Sequence, residues 1–282
     1  MPVTDELLRW RDDLASWAIP QSIIDQATAS PWTPERSVFV RRAAARRANP
    51  EGISFQRARE ALPVGGSLLD VGAGAGAASL PLVDRAGSLT AVDADGPLLA
   101  ELAAQAGAER EKVTTVVGSW PSVAGAVAAA NVVVCHHVLY NVPDLGPFID
   151  ALDTHARDRV VIEITAAHPL ARLNPLWKRF HGLIRPTRPT WEDALRAIES
   201  FHDGVHAERA PASAVPAFAT WEELVRSTTR RLCLPFERGA EVAEALTELG
   251  AVPSDPSTWS GSGREVVTLW WDSTYGSGGR PM

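Results

Sequence analysis

The chain has 282 residues, of which 45% are hydrophobic and 22% charged, values typical of a globular protein and unlike those of a disordered or fibrous chain. Its net charge of −7 argues against a dedicated nucleic-acid-binding protein, because such proteins neutralise phosphates with clustered cations. No apolar run approaches the roughly 20 residues of a membrane-spanning helix, and the N-terminus lacks the apolar core of a signal peptide. Cys135 and Cys233 are too few and too far apart for a disulfide framework or a zinc site. We therefore expect a cytoplasmic protein without a metal.

The N-terminal segment is predicted to be helical. Trp10, Leu14 and Trp17 recur at the spacing that places side chains on one helix face. Thr33 can cap a second helix whose first position is Pro34. This helix is expected to bind an anion or RNA, or to present a solvated face, because it carries a series of arginines. The series is Arg36, Arg41, Arg42, Arg46 and Arg47.

The middle of the chain alternates short apolar runs with segments rich in alanine and leucine, such as residues 96–105. The apolar runs are continuous rather than alternating, which is typical of parallel strands covered on both faces by helices. The five predicted strands are residues 67–71, 87–93, 113–117, 131–135 and 159–164.

After the fifth strand this alternation stops. Residues 166–218 contain many prolines and aromatic residues, and are predicted to be a helical insertion without a strand. Thr220 and Glu223 form a capping box that predicts a helix start. Further on, residues 228–234 and 264–271 are predicted strands, and residues 241–249 a helix. The predicted parts are an N-terminal helical cover (1–60), a core (61–165), a substrate cap (166–218), the rest of the core sheet (219–272) and a flexible tail (273–282).

A glycine-rich turn follows the first predicted strand. Gly72, Gly74 and Gly76 allow a ligand to approach the backbone closely, and the start of a following helix would offer free N–H groups. Asp93 ends the second strand, 23 residues after Asp70, where a carboxylate can accept hydrogen bonds from ribose hydroxyls. The two features predict a ligand that contains a nucleoside.

Two classes of nucleoside ligand fit this pattern. Gly72 and Gly74 with Ala77 satisfy the dinucleotide fingerprint, which would indicate an NAD-type oxidoreductase. However, Asp70 immediately before the turn would repel a pyrophosphate and would attract an ammonium group. The position of Asp70 therefore favours a ligand with an amino-acid end.

The run LLDVGAGAG at residues 68–76, followed by LTAVD at residues 89–93, resembles the first two motifs of the class I S-adenosylmethionine-dependent methyltransferases. The resemblance covers residues 61–165 well and residues 219–271 in outline. It implies a twisted, mostly parallel sheet of seven strands with the last strand antiparallel and helices on both faces. It also implies S-adenosylmethionine as the cofactor and S-adenosylhomocysteine as the product.

The resemblance implies roles by position. Asp70 would orient the methionine amino group, directly or through water, and Asp93 would bind the ribose hydroxyls. Ser119 stands where many members have an acid that contacts the adenine, and the neighbouring Trp120 would either stack on the adenine or pack elsewhere. The remaining predicted cofactor contacts are Gly72, Ala73, Gly74, Gly76, Ala94, Cys135 and His136.

Two adjacent histidines follow the fourth strand, where the resemblance places the reacting methyl group. His136 and His137 are the candidates for general-base catalysis, because imidazole titrates near neutral pH; the alternative is a packing role. Tyr140 is a candidate for substrate contact. So are three residues of the predicted cap, whose shared helix face fits either a substrate pocket or a core contact. They are His168, Trp177 and His181.

The expected activity is therefore methyl transfer to a small-molecule acceptor, with no role for a membrane or a nucleic acid. Three alternatives stay open. They are an RNA or protein methyltransferase that uses the arginine-rich helix, an NAD-type oxidoreductase, and a binding protein of the same fold without catalysis.

Overall fold

The computed structural model describes residues 3–32, 35–212, 218–256, 259 and 265–273. The N-terminal segment forms helices α1 (Asp5–Ala15), α2 (Gln21–Ile24), α3 (Arg36–Ala48) and α4 (Ile53–Ala61), as predicted. The strands are β1 (Ser67–Val71), β2 (Ser88–Asp93), β3 (Val113–Val117), β4 (Ala130–His136), β5 (Ala156–Thr165), β6 (His206–Pro211) and β7 (Glu265–Asp272). The later helices are α5 (Gly96–Gln105), α6 (Leu145–His155), α7 (Asn174–His181), α8 (Trp191–Glu199), α9 (Trp221–Arg231) and α10 (Gly239–Glu248).

The strands form one seven-stranded sheet in the order β3-β2-β1-β4-β5-β7-β6. Strands β1 to β5 are mutually parallel, whereas β7 runs antiparallel to both of its neighbours, β5 and β6. The predicted fold class, a mostly parallel sheet with an antiparallel last strand, is confirmed. The parallel strands bring their carboxyl ends to one edge of the sheet.

Both faces of the sheet are covered. Alternate residues of β1 enter different cores, because side chains alternate along a strand. Leu69 packs in a core with residues of α1, α6 and α8, whereas Leu68 packs on the other face with residues of α3, α4 and α5. A third cluster joins α7, α9 and α10 beside the sheet. Burial on both faces explains why these strands have continuous apolar sequences.

Two of the strand predictions for the second half of the chain were wrong. Residues 228–231, part of the predicted strand 228–234, form the last turn of α9, where Thr228 and Thr229 are buried against neighbouring elements. The β-branched threonines favoured a strand. The predicted helix start at Thr220, whose side chain accepts a hydrogen bond from the Glu223 N–H at 3.1 Å, is confirmed, but the helix continues through Arg231. The strand that was not predicted is β6, which lies inside the segment 166–218 that was expected to lack strands.

The turn after β1 also differs from the expectation. The backbone continues through turns into a short 3₁₀ helix at Leu80–Leu82, so no α-helix N-terminus stands behind the glycines.

The predicted cap at Thr33 and Pro34 and nearly all of the predicted tail lie outside the described residues. None of the helices in the described part of the chain is long and apolar enough to cross a membrane. Within the same residues, no group of three or more His, Cys, Asp or Glu side chains could hold a metal ion.

Candidate functional site

A crevice of about 440 Å³ opens at the carboxyl ends of β1, β2 and β4. We call it the cofactor crevice. It contains most of the residues that the sequence predicts as cofactor contacts. These are Gly72, Ala73, Gly74, Asp93, Ala94, Ser119, Trp120 and His136.

The glycine turn forms the floor of the crevice. Gly72, Gly74 and Gly76 all have positive φ angles, of +72°, +52° and +90°, which other residues rarely adopt. A Cβ atom at Gly74 would meet no atom closer than a carbon of Phe39 at 3.7 Å, an ordinary van der Waals contact. A Cβ at Gly76 would instead come within 3.0 Å of Leu80, so this glycine serves packing rather than the crevice.

Asp93 connects the first two strands of the site. Its carboxylate accepts hydrogen bonds from the backbone N–H groups of Gly74 and Asp95, each at 2.8 Å. These two bonds hold the glycine turn against the end of β2. A carboxylate has about four acceptor positions, so Asp93 retains acceptor capacity toward the crevice.

Asp70 lies behind the glycine turn and does not line the crevice. Its carboxyl group is fully buried; Oδ2 accepts a hydrogen bond from the Ser79 hydroxyl at 2.6 Å, and Oδ1 has no protein partner. Burial raises the pKa of Asp70 to about 7. Of the two contacts implied for Asp70, this position fits the water-mediated one.

Two predicted cofactor contacts, Cys135 and His136, lie at the end of β4, and only His136 lines the crevice. The His136 ring lines it, with Nε2 buried and unpartnered, and burial lowers the pKa of His136 to about 4. The ring is therefore neutral at neutral pH. Cys135 points into the core of the sheet instead, and burial raises the pKa of its thiol. The prediction that Cys135 contacts the cofactor does not fit this orientation, which follows from the alternation along β4.

At the adenine end implied by the resemblance, Trp120 meets the ring of His155 edge-on, with centroids 4.9 Å apart. Its indole Nε1 is buried without a hydrogen-bond partner. Buried N–H groups usually have a partner, so this donor is available to a ligand or a water molecule in the crevice.

A second cavity of about 810 Å³ adjoins the cofactor crevice under the N-terminal helices. We call it the acceptor cavity. It reaches from α1 and α3 to β5, α9 and the segment after β5. The two cavities share one wall, formed by Phe39, Arg42, Arg46, His137, Asn141 and Glu163.

A histidine–carboxylate pair lies on the shared wall. Nε2 of His137 is 3.0 Å from Oε1 of Glu163, and the backbone N–H of His137 donates to the Glu163 carbonyl at 2.7 Å. His137 has a φ of +60°, an uncommon conformation for a residue with a side chain. Backbone strain of this kind is found at functional sites, where surrounding contacts hold it in place.

Glu163 is ionised in this environment. Only 2% of its side chain is exposed, and burial opposes its charge. The hydrogen bond from His137 and the nearby positive charges outweigh burial and lower the pKa of Glu163. Oε2 accepts from the Ser54 hydroxyl at 2.6 Å, and a guanidinium nitrogen of Arg46 is 3.6 Å from Oε1. Glu163 is thus a fixed anion that orients the imidazole of His137.

Two predicted substrate contacts line the acceptor cavity. Tyr140 donates its hydroxyl hydrogen to the Thr165 carbonyl at 2.8 Å. His168 stacks on Trp17 with ring centroids 3.8 Å apart. Burial, followed by the charge of Arg185, lowers the pKa of His168 to about 4. His168 is therefore a neutral part of an aromatic wall.

The other two predicted substrate contacts lie elsewhere. Trp177 is buried in the cluster of α7, α9 and α10, and His181 pairs with the Leu232 carbonyl at 2.6 Å. Neither residue lines the acceptor cavity or the cofactor crevice. The helix face that the sequence left open as a substrate or a core contact is a core contact.

The arginines of α3 do not share one environment, because Arg36 is exposed whereas the others are half-buried. Arg36 pairs with Asp95, and Arg41 pairs with Glu223 at 2.8 Å. Arg42 and Arg46 line both cavities, although the sequence did not identify them as site residues. A signal was present: Phe39, Arg42 and Arg46 are spaced three and four residues apart, which places these cations beside an aromatic residue on one helix face.

The sequence profile of a family described as "Methyltransferase domain" matches residues 41–203, more than half of the chain. A cyclopropane-fatty-acyl-phospholipid synthase-like protein from Lactobacillus casei is 16% identical, with a TM-score of 0.52 over 89% of this chain and 97% of that one. Magnesium protoporphyrin IX methyltransferase from Synechocystis with bound SAH is 18% identical, with a TM-score of 0.45 over 63% and 78%. An rRNA methylase from Streptococcus thermophilus is 10% identical, with a TM-score of 0.40 over 76% and 91%. No curated protein sequence matches the chain.

The structural likenesses are too distant in sequence to show more than the fold. The family profile covers the glycine turn, Asp93 and both histidines, and it favours methyl transfer over the NAD-type alternative. The chain belongs to the class I S-adenosylmethionine-dependent methyltransferase family.

Proposed function

We propose that this protein transfers a methyl group from S-adenosylmethionine to a small molecule held in the acceptor cavity. The observation that supports this proposal is the shared wall at His137 and Glu163. There the cofactor crevice and a cavity of about 810 Å³ meet. A cavity of that size lies in the range of sites for small organic ligands, roughly 300–1,000 Å³.

The residues of the cofactor crevice fit S-adenosylmethionine. Gly74 leaves the floor of the crevice open, and Asp93 retains acceptor capacity for two ribose hydroxyls. Two buried atoms of the crevice without protein partners, Trp120 Nε1 and His136 Nε2, are available to polar groups of a ligand. The bound cofactor supplies a methyl carbon attached to a charged leaving group.

The main task of the protein in such a reaction is to align the acceptor and exclude water. The helices α1 and α3 cover the acceptor cavity from one side, and the segment after β5 covers it from the other. Trp17 and His168 stack on each other in this cover, which gives the cavity a rigid wall. Tyr140 is anchored through Thr165 and packs beside them.

His137 is the residue that we assign to proton removal. The ionised Glu163 can only accept a hydrogen bond, so Nε2 of His137 carries the hydrogen. In the neutral imidazole, the lone pair is therefore on Nδ1, the atom able to take a proton from an acceptor. His136, the other candidate, lines only the cofactor crevice and is assigned to cofactor binding.

The acceptor class can be tested by supplying S-adenosylmethionine with a labelled methyl group to separate cell-extract fractions of small molecules, RNA and protein. We expect the label to enter the small-molecule fraction, and to be lost from it with the Asp93→Ala variant. Label in RNA or protein alone would contradict the proposal. Binding of S-adenosylhomocysteine without label in any fraction would support a binding protein instead.

A further inference from the structure

The acceptor cavity is lined by more positive than negative side chains. Its carboxylates are Glu35 and Glu163. Both are already paired: Glu35 with Arg230 at 2.9 Å, and Glu163 with His137 and Ser54. Five arginines line the same cavity, namely Arg11, Arg42, Arg46, Arg172 and Arg231. The cavity therefore carries an excess of positive charge that its own carboxylates do not balance.

Arg231 is the clearest case of an unbalanced charge. It is the last residue of α9, is half-buried, and forms no hydrogen bond or ion pair with the part of the chain that the structure describes. Burial lowers the pKa of Arg231 and the neighbouring charge of Arg230 lowers it further, whereas the carboxylate of Glu35 acts in the opposite direction. Its side chain lines the acceptor cavity, so its donors remain accessible there to an acceptor group of a ligand.

Arg42 is also unpaired within the described residues. It lines both cavities, however, so the carboxylate of a bound cofactor could satisfy it. Arg231 lines the acceptor cavity alone and has no such alternative. Among the described residues Arg231 has no hydrogen-bond or ion-pair partner, so an anionic group of a molecule in this cavity would supply one.

The rest of the wall is largely apolar and aromatic. Trp17, Tyr140 and Phe218 line the cavity together with Leu14 and Leu173. Flat apolar ligands bury well against such rings. The cavity thus combines apolar and aromatic surface with an excess of arginine side chains.

We propose that the methyl acceptor is an apolar or aromatic molecule that carries an oxyanion, and that this oxyanion pairs with Arg231. The shared chemistry is that of carboxylates, sulfonates and phosphates, all of which a guanidinium binds with two parallel hydrogen bonds. This inference rests on the proposed function, since it treats the second cavity as the acceptor site.

Two dyes of closely matched shape test the charge requirement directly. The first, 8-anilinonaphthalene-1-sulfonate, has a sulfonate on an aromatic body; the second, N-phenyl-1-naphthylamine, has the same body without charge. In the presence of saturating S-adenosylhomocysteine, we expect one sulfonate dye to bind per chain, about tenfold more tightly than the neutral dye. Equal or weaker binding of the sulfonate dye would overturn the inference.

Substitutions on α9 assign the effect to one residue. Arg231→Gln is expected to weaken the sulfonate dye about tenfold and to leave the neutral dye unchanged, whereas Arg231→Lys should retain part of the preference. Arg226→Gln is the matched control, because Arg226 is exposed on the same helix and outside both cavities. An Arg231→Gln variant that keeps the full preference would overturn the inference. If that variant does not fold, the comparison of the two dyes on the unmodified protein still decides.

Displacement of the sulfonate dye identifies the kind of oxyanion. Displacement by 1-naphthoate or by 1-naphthyl phosphate supports the inference and shows which group is preferred; displacement by neither contradicts it.

Calorimetry with S-adenosylhomocysteine separates this inference from the proposed function. If the protein binds this product but shows no preference for the anionic dye, the inference fails and the proposed function stands. If it does not bind the product, the proposed function itself fails.

Discussion

Replacing His137 by alanine is expected to lower kcat by about two to four orders of magnitude, because a positioned general base contributes an effect of that size. The affinity for S-adenosylhomocysteine should change little, since Asp93 and the glycine turn, which we propose hold the sugar and the amino-acid end, are left intact. Glu163→Gln should lower kcat as well, because the amide is a weaker acceptor for the Nε2 hydrogen of His137. The measurement is single-turnover transfer to the acceptor found by labelling, with product affinity followed by calorimetry.

His136→Ala is the matched control for this prediction. Its ring lies next along the chain but lines only the cofactor crevice, so its loss should affect cofactor binding more than the transfer step. Unchanged single-turnover rates in both His137→Ala and Glu163→Gln would contradict the assignment. The acceptor would then arrive without a proton to remove, and the pair would serve only to shape the wall.

The second large effect is expected at Asp93. Asp93→Ala should weaken binding of S-adenosylhomocysteine by about 2 kcal/mol, close to a thirtyfold rise in Kd, through the loss of charge-assisted hydrogen bonds. Part of this loss comes from the protein, because the Gly74 N–H also loses its acceptor. Isothermal titration calorimetry measures both the affinity and the enthalpy.

Two further variants serve as comparisons for the Asp93→Ala measurement. Asp93→Asn keeps one acceptor oxygen and should lose less affinity than the alanine variant. Asp84→Ala removes an exposed carboxylate beyond the glycine turn and should lose none. If Asp93→Ala binds as tightly as the unmodified protein, the ribose is not held at this carboxylate.

The inner strands of the parallel sheet could be predicted from the sequence because they are buried on both faces. Strand β1 is apolar except at Ser67 and Asp70. Strand β3 also has its predicted bounds, Val113–Val117, although it lies at the edge of the sheet and is largely exposed. Strand β6 could not be found in this way. Its sequence, from His206 to Pro211, is polar and partly exposed at the edge of the sheet, so it lacks an apolar pattern.

The cofactor crevice was predictable for a related reason. Its residues lie in short stretches that directly follow strand ends, where the local sequence identifies a close turn at Gly72 and an acid at Asp93. The acceptor side could not be predicted in the same way. The pairing of His137 with Glu163 joins the ends of two different strands, and the approach of Arg42 depends on how α3 packs over the sheet.

Cys135 and Trp177 lie in correctly predicted elements, yet the direction of their side chains could not be predicted. Both lie near residues that line a cavity, yet the rotation of the strand or the helix turns each side chain into a core. A shift of one residue along a strand reverses the face that a side chain occupies. Chain position alone therefore places a residue near a site without deciding whether it contacts the ligand.

The central claim is that the glycine turn and Asp93 hold the amino-acid end and the sugar of S-adenosylmethionine, with the reacting sulfur at the shared wall. A crystal structure with S-adenosylhomocysteine tests it most directly. We predict ribose hydroxyls on Asp93, the amino-acid end over Gly74, and the sulfur facing His137 and the acceptor cavity. A product molecule bound elsewhere, or a crevice that excludes it at saturating concentration, would contradict the account.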